Sequence, residues 1–339
     1  MNAASDLRPL LIEREILGEG RALRHAMNLV KRFARTSLCI LLQGATGTGK
    51  ELFAQMIHEE SGRRGRFVPI NCGALPRTMI ESLLFGHRRG AFTGAHESAP
   101  GFIEAADQGT LYLDELASLP LEDQVKLLRV LESEEVYRVG DTAPRKVDLR
   151  VVSSVQERPG TLVASGNLRL DLCERLAGVV IMLPSLRERG DDICVLADHF
   201  ARRLGKTLGE GASTVLRQYG WPGNVRELRA VIERAVALSD DSGIEARMIS
   251  EAIALGAAEV VRGTPAASEF HEFKEREHLI AACKANGWHA GRTATALGMA
   301  RVTLYRRLKA AGLLLRAEKR IHRLRAQSTR DVPTTQMIS

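Results

Sequence analysis

The sequence predicts an α/β fold: a parallel sheet covered by helices, carrying a helical subdomain and followed by a small all-α domain. Three observations predict it. Short apolar runs recur at residues 38–42, 67–70, 110–113, 150–155 and 179–183, each of strand length. Stretches with helical spacing separate them, as where Leu121, Val125, Leu128 and Leu131 fall on one face. Beyond Asp191 the strand-like runs stop. Apolar strands alternating with amphipathic helices fold as a parallel sheet buried on both sides.

In chain order, residues 1–15 form a short extension and residues 16–190 the α/β subdomain. Residues 191–255 read as helices broken by the turn signal Gly220-Trp221-Pro222-Gly223-Asn224, with Trp221 as core packing. Residues 256–270 open with GAAEVVRGTPAAS, whose small residues, glycines and proline suit a linker. A last helical unit is expected over 271–315, and a basic tail over 316–339. With about fifteen residues ahead of the α/β subdomain, no sensing domain is expected there.

Composition narrows the function classes. An apolar content of 45% supports real cores and excludes disorder throughout. No apolar run approaches the roughly 20 residues of a membrane span, and acids interrupt the first residues where a signal peptide would be apolar, so the expected location is cytoplasmic. The 5 cysteines are widely spaced, which argues against a disulfide framework or a zinc site. The net charge of +7 is segregated: residues 271–339 hold 14 Lys and Arg against 5 Asp and Glu, a net of +9 that leaves −2 for the rest. A basic end segment suits a polyanion such as DNA.

Gly44-Ala45-Thr46-Gly47-Thr48-Gly49-Lys50 follows the first strand and precedes a helical stretch, the context that makes a phosphate-binding loop credible. Glycines let backbone N–H groups converge on phosphate oxygens, and the helix N-terminus adds a favourable dipole. Lys50 would reach the β- and γ-phosphates of ATP. The position after it holds Glu51, where a magnesium-binding hydroxyl is usual. A second half-site ends the third strand: Asp114 is placed to hold magnesium and Glu115 to polarise water.

Between these halves lies Gly90-Ala91-Phe92-Thr93-Gly94-Ala95. This hexapeptide resembles the signature of sigma-54-dependent activators, the bacterial enhancer-binding proteins, and the resemblance extends from about Leu17 to Leu313. It implies an AAA+ ATPase with a helical lid, whose loop, with Phe92 and Thr93 at its tip, engages sigma-54 RNA polymerase. Glu51 then fits, since the family commonly reads GTGKE there. Asn71 matches the family residue that restrains the catalytic glutamate, here Glu115. Arg169 and Arg175 match arginines given to the neighbouring subunit's ATP, which makes hydrolysis depend on a homo-oligomer, in the family a hexameric ring. Arg226 matches the residue reporting the γ-phosphate to the lid. Ser154-Val155-Gln156 departs from the family's Ala-Thr-Asn but keeps an amide, and Arg88 stands where an acid is usual.

Residues 274–313 resemble the Fis-type helix-turn-helix that ends many such activators, with Gly298 at the turn and Leu297, Leu304 and Leu308 inward. Arg301, Thr303, Arg306 and Arg307 are the candidates for double-stranded DNA contact at an upstream site. The basic tail is expected to add nonspecific affinity.

The expected function is therefore ATP-driven opening of sigma-54 promoter complexes, controlled by a trans-acting inhibitor, a co-activator or regulated synthesis. The alternative is a DNA-binding regulator with a vestigial ATPase, against which Lys50, Asp114, Glu115, Phe92 and Thr93 all argue. Unfoldases, helicase loaders and chelatases lack this loop and reader, and an aromatic content of 4% disfavours single-strand tracking by stacking.

Overall fold

The computed structural model describes residues 16–239 and 243–260, together with Cys283 and Thr293. The chain divides into two compact units, Met1–Ile253 and Ala254–Ser339. Of the second, the end of one helix and the buried, helical Cys283 and Thr293 are described. The helix-turn-helix, with Arg301, Thr303, Arg306 and Arg307, lies outside the described residues.

In the first unit, β1 (Ile40–Gln43), β2 (Phe67–Asn71), β3 (Thr110–Asp114), β4 (Arg150–Val155) and β5 (Val179–Met182) form one sheet in the order β2-β3-β4-β1-β5. Every pairing is parallel. Each strand falls on one of the apolar runs, and side chains alternate between the faces. Ile40, Leu42, Tyr112, Val152 and Ile181 face one core. There they meet α1 (Arg21–Phe33) and α2 (Lys50–Ser61) through Leu23, Ala26, Val30, Phe53 and Ile57. Leu41, Leu111, Leu113, Val151 and Val155 face the other core, under α3 (Ile80–Phe85), α4 (Leu121–Ser133) and α5 (Leu170–Leu176). Each buried Leu or Ile contributes about 1.5–3 kcal/mol. That double covering fixes the C-terminal strand ends, where the candidate site lies.

The helix expected from Leu121, Val125, Leu128 and Leu131 is α4, and Leu128 and Leu131 pack against the second core. The inward residues are Asp123, Gln124, Leu127 and Val130, whereas Leu121 is 49% exposed and Val125, Leu128 and Leu131 are half-buried. Beside them a polar side chain, Gln124, takes a core position with its hydrogen bonds met inside. Hydrophobic periodicity does not register such a residue.

After β5 the chain turns through Leu186–Arg189, closed by a reciprocal cap between Ser185 and Glu188. Four helices follow: α6 (Asp192–Arg203), α7 (Ala212–Gln218), α8 (Asn224–Ala237) and α9 (Ala246–Val260). Ile193, Phe200, Leu216, Trp221, Leu228, Ile232 and Ile249 form their shared core. Trp221 is buried as expected, its indole N–H donating to the Leu216 carbonyl at 2.8 Å. A buried ion pair at the start of this subdomain holds the N-terminal segment. Arg189 meets Asp192 at 3.2 Å, and Asp192 accepts the backbone N–H of Glu19 at 2.7 Å. Among the described residues no helix is long and apolar enough to cross a membrane, and all five cysteines are free.

Candidate functional site

The loop between β1 and α2 is shaped by glycines. Gly47 (φ +77°) and Gly49 (φ +93°) adopt backbone conformations that side chains resist. Gly47 is doubly constrained, because a Cβ there would lie 2.2 Å from the Gly223 carbonyl oxygen of the helical subdomain. Lys50 opens α2, buried, and its ammonium donates to the carbonyls of Gly44 at 3.0 Å and Ala45 at 3.2 Å. Burial pulls the Lys50 pKa below the ordinary lysine value, the Asp114 and Glu115 carboxylates pull it back, and Arg226 pushes it down again. Charged groups from two other segments thus act on Lys50. Glu51 stands exposed in the first turn of the same helix, and Thr48 closes the loop by donating to the Ala45 carbonyl at 2.8 Å.

Asp114 ends β3 beside this loop. It accepts the Tyr112 hydroxyl at 2.9 Å and also the Ser154 hydroxyl, both on Oδ1. Glu115 follows in the left-handed region at φ +55°, its backbone N–H donating to Ser154 Oγ at 3.2 Å. Gln156 reaches the Glu115 carboxylate at 3.3 Å, so the amide expected at the end of β4 does face the acid. Asn71 ends β2 next to them in register with Asp114. Its carboxamide oxygen accepts the N–H groups of Gly73 at 2.9 Å and Ala74 at 3.1 Å. Asn71 and Glu115 share no hydrogen bond among the described residues, yet both crowd Gly73, where a Cβ would sit 2.6 Å from Glu115 Oε2 and 3.3 Å from Asn71 Oδ1. The Cys72 thiol between them is pushed up to about 12 by burial, with Asp114 and Glu115 adding to it.

The helical subdomain closes over the loop from the other side. Asn224, at φ +53°, donates to the Thr46 carbonyl at 2.9 Å and accepts the Leu186 N–H at 2.8 Å. The Val225 N–H donates to the Gly47 carbonyl at 3.0 Å. Arg226 is the next residue, exposed.

The Gly90–Ala95 segment stands apart from these groups. Its base is an antiparallel pairing of Gly86–His87 with Ala99–Pro100. Arg88 and Gly86 exchange backbone hydrogen bonds with Val139. The tip closes through Gly90 N–H to Ala95 O at 2.9 Å and Ala95 N–H to Phe92 O at 3.0 Å. Phe92 is 45% exposed, with its ring 5.1 Å from that of His87, and Thr93 is exposed. The Phe92 ring thus stands at the surface against His87 and not in the core.

Arg169 caps α5 and Arg175 lies in its last turn, both exposed. Arg169 pairs with Asp171 at 2.6 Å, and Arg175 donates to the Leu131 carbonyl at 2.8 Å. Neither bonds to the phosphate loop of its own chain among the described residues. Sequence reasoning did not single out Ser154, Tyr112, Asn224 or Gln124 as functional. A Gly-Asn pair at a helix start does hint at a residue with positive φ, but a serine inside a buried strand gives no such signal.

A family model described as Sigma-54 interaction domain matches residues 16–182, one described as AAA+ ATPase lid domain matches 187–263, and one described as Bacterial regulatory protein, Fis family matches 272–310. The nitric oxide reductase transcription regulator NorR2 of Cupriavidus necator is 47% identical over 229 residues, 65% of this chain and 44% of that protein. The response regulator protein PilR of Pseudomonas aeruginosa is 36% identical over 316 residues, 89% of this chain and 71% of PilR. Among solved structures, NtrX from Brucella abortus in complex with ATP superposes with a TM-score of 0.65 at 35% identity, covering 88% of this chain and 69% of NtrX. The chain spans about half the length of several curated relatives it matches.

Proposed function

The chain belongs to the sigma-54-interacting family of bacterial transcription regulators, and from that premise we propose that it binds upstream DNA and hydrolyses ATP to open promoters held by sigma-54 RNA polymerase. One observation carries the ATPase reading: Lys50 lies buried at the end of the sheet, close enough to Asp114, Glu115 and Arg226 to feel the charge of all three. In this reading the backbone of Gly44 to Gly49 cradles the phosphates, Lys50 turns from the Gly44 and Ala45 carbonyls to the β- and γ-phosphates, and Arg226 reports the γ-phosphate to the lid.

Magnesium fits the donors present. Both hydroxyls settle on Asp114 Oδ1, and Oδ2 takes no hydrogen bond among the described residues. Glu51 adds a second carboxylate on the loop's helix, and one or two carboxylates plus phosphate oxygens are a usual magnesium set. Bound there, the ion would neutralise charge on the phosphates. Glu115 orients the attacking water and takes its proton as the γ-phosphorus–oxygen bond to ADP breaks. Asn71 restrains Glu115 until the loop is engaged.

Arg169 and Arg175 serve the neighbouring subunit's nucleotide, so turnover requires a homo-oligomer, which closes as a ring, of six subunits as the family resemblance implies. Phe92 and Thr93 transmit the nucleotide state to sigma-54. Residues 271–315 read DNA through Arg301, Thr303, Arg306 and Arg307, and the chain works in the cytoplasm.

The test combines purified protein, sigma-54 holoenzyme and a premelted promoter. Open complexes should form with ATP and disappear in Thr93→Ala and Glu115→Ala. Normal ATP hydrolysis without contact to sigma-54 in any nucleotide state would overturn the reading.

A further inference from the structure

Gln124 lies on α4 with no solvent exposure, at a position where packing alone would favour an apolar residue. Its carboxamide is used on both sides. Nε2 donates to the Leu119 carbonyl at 2.8 Å and the Asn167 carbonyl at 3.0 Å, and Oε1 accepts the Arg169 N–H at 3.0 Å. A buried amide is costly unless satisfied, and satisfied it holds its partners in one arrangement.

Those partners belong to the two functional segments. Leu119 ends the short turn Leu116–Ser118, whose first residue outside is Glu115; the turn is closed by Ser118 N–H to Glu115 O at 2.8 Å. Arg169 is the residue that caps α5, which has no side-chain cap of its own and carries Arg175. We propose that Gln124 is a positioning residue that sets Arg169 and Arg175 for the neighbouring subunit's ATP, with the Leu119 carbonyl as its anchor. This rests on the reading that those arginines act across a subunit boundary.

The experiment is subunit mixing with the full chain. Gln124→Met removes all three hydrogen bonds at similar volume, and Gln124→Glu keeps the acceptor for Arg169 N–H while losing both donors. Each should bind ATP within about twofold of the unaltered chain. ATPase should fall between about tenfold and a hundredfold, the scale of an ångström-sized misplacement. Mixing with Glu115→Ala chains, which hydrolyse nothing but present intact arginines, should restore turnover at the Gln124-variant sites. If Gln124→Met does not fold, Gln124→Glu carries the same test.

A parallel mixture of Arg175→Ala with Glu115→Ala separates the two ideas. If that control fails to restore turnover, the trans-acting arginine reading fails. If the control restores turnover and the Gln124 mixture does not, Gln124 serves only its own chain and the proposal is overturned. Unchanged ATPase in both Gln124 variants overturns it as well.

Discussion

Asn224 donates its side-chain amide to the Thr46 carbonyl at 2.9 Å, joining the helical subdomain to the phosphate loop through one buried residue. The same side chain accepts the Leu186 N–H at 2.8 Å, and the backbone sits at φ +53°, which asparagine tolerates better than most residues. Asn224→Ala strands a buried N–H, about 1–3 kcal/mol, and adds about 1–2 kcal/mol of left-handed strain. Urea unfolding should show both losses, and Asn224→Gly should recover the second. Nucleotide affinity should fall in both variants, because each lets the subdomain part from the loop. Unchanged affinity in Asn224→Gly would remove the coupling.

Lys50 gives a pH dependence. Burial holds its pKa below the ordinary 10.5 in the free chain. Phosphates beside the ammonium would raise it, so the nucleotide-bound form keeps its proton to higher pH. The sign follows: affinity is full below the free-chain Lys50 pKa and declines as pH rises through it toward the bound-state value. Titration calorimetry in buffers of different ionisation enthalpy should show proton uptake on binding in the alkaline range. Lys50→Met should abolish that uptake and weaken binding.

The five strands were legible because each is a short apolar run: β1, β3 and β4, inside the sheet, are buried almost throughout, and the edge strands β2 and β5 still bury Ile70 and Ile181. Lys50, Asp114 and Glu115 were legible because phosphate chemistry demands those groups at those strand ends. Ser154 and Gln124 were not. Their value lies in what they bond to across 40 or more residues of sequence, Asp114 in one case and Arg169 in the other. A single buried polar residue leaves no periodic trace, as Gln124 on α4 shows among Leu127, Leu128 and Val130.

Cys72 should be inert although it neighbours the acids. Its thiol, pushed up to about 12 from 9.0, ionises roughly a thousandfold less than an ordinary thiol at pH 8. Alkylation followed by peptide mass mapping should therefore label the half-buried Cys39 and Cys194 before Cys72. Rapid labelling of Cys72 in the folded protein would mean that the β2 end opens readily.

Ser154 and Tyr112 both donate to Asp114, yet their removal should differ. Tyr112→Phe takes one hydroxyl from the carboxylate and leaves the other in place. Ser154→Ala also strips the partner from the Glu115 N–H, freeing a residue held in the left-handed region. Outer partners of this kind typically set activity by about 10- to 100-fold. Ser154→Ala should lower the rate of hydrolysis within that range while nucleotide affinity, set by the loop on β1, changes little. Tyr112→Phe should cost about threefold or less, below that range. Equal losses in the two variants would place the whole effect on Asp114 and leave the Glu115 backbone bond without a role.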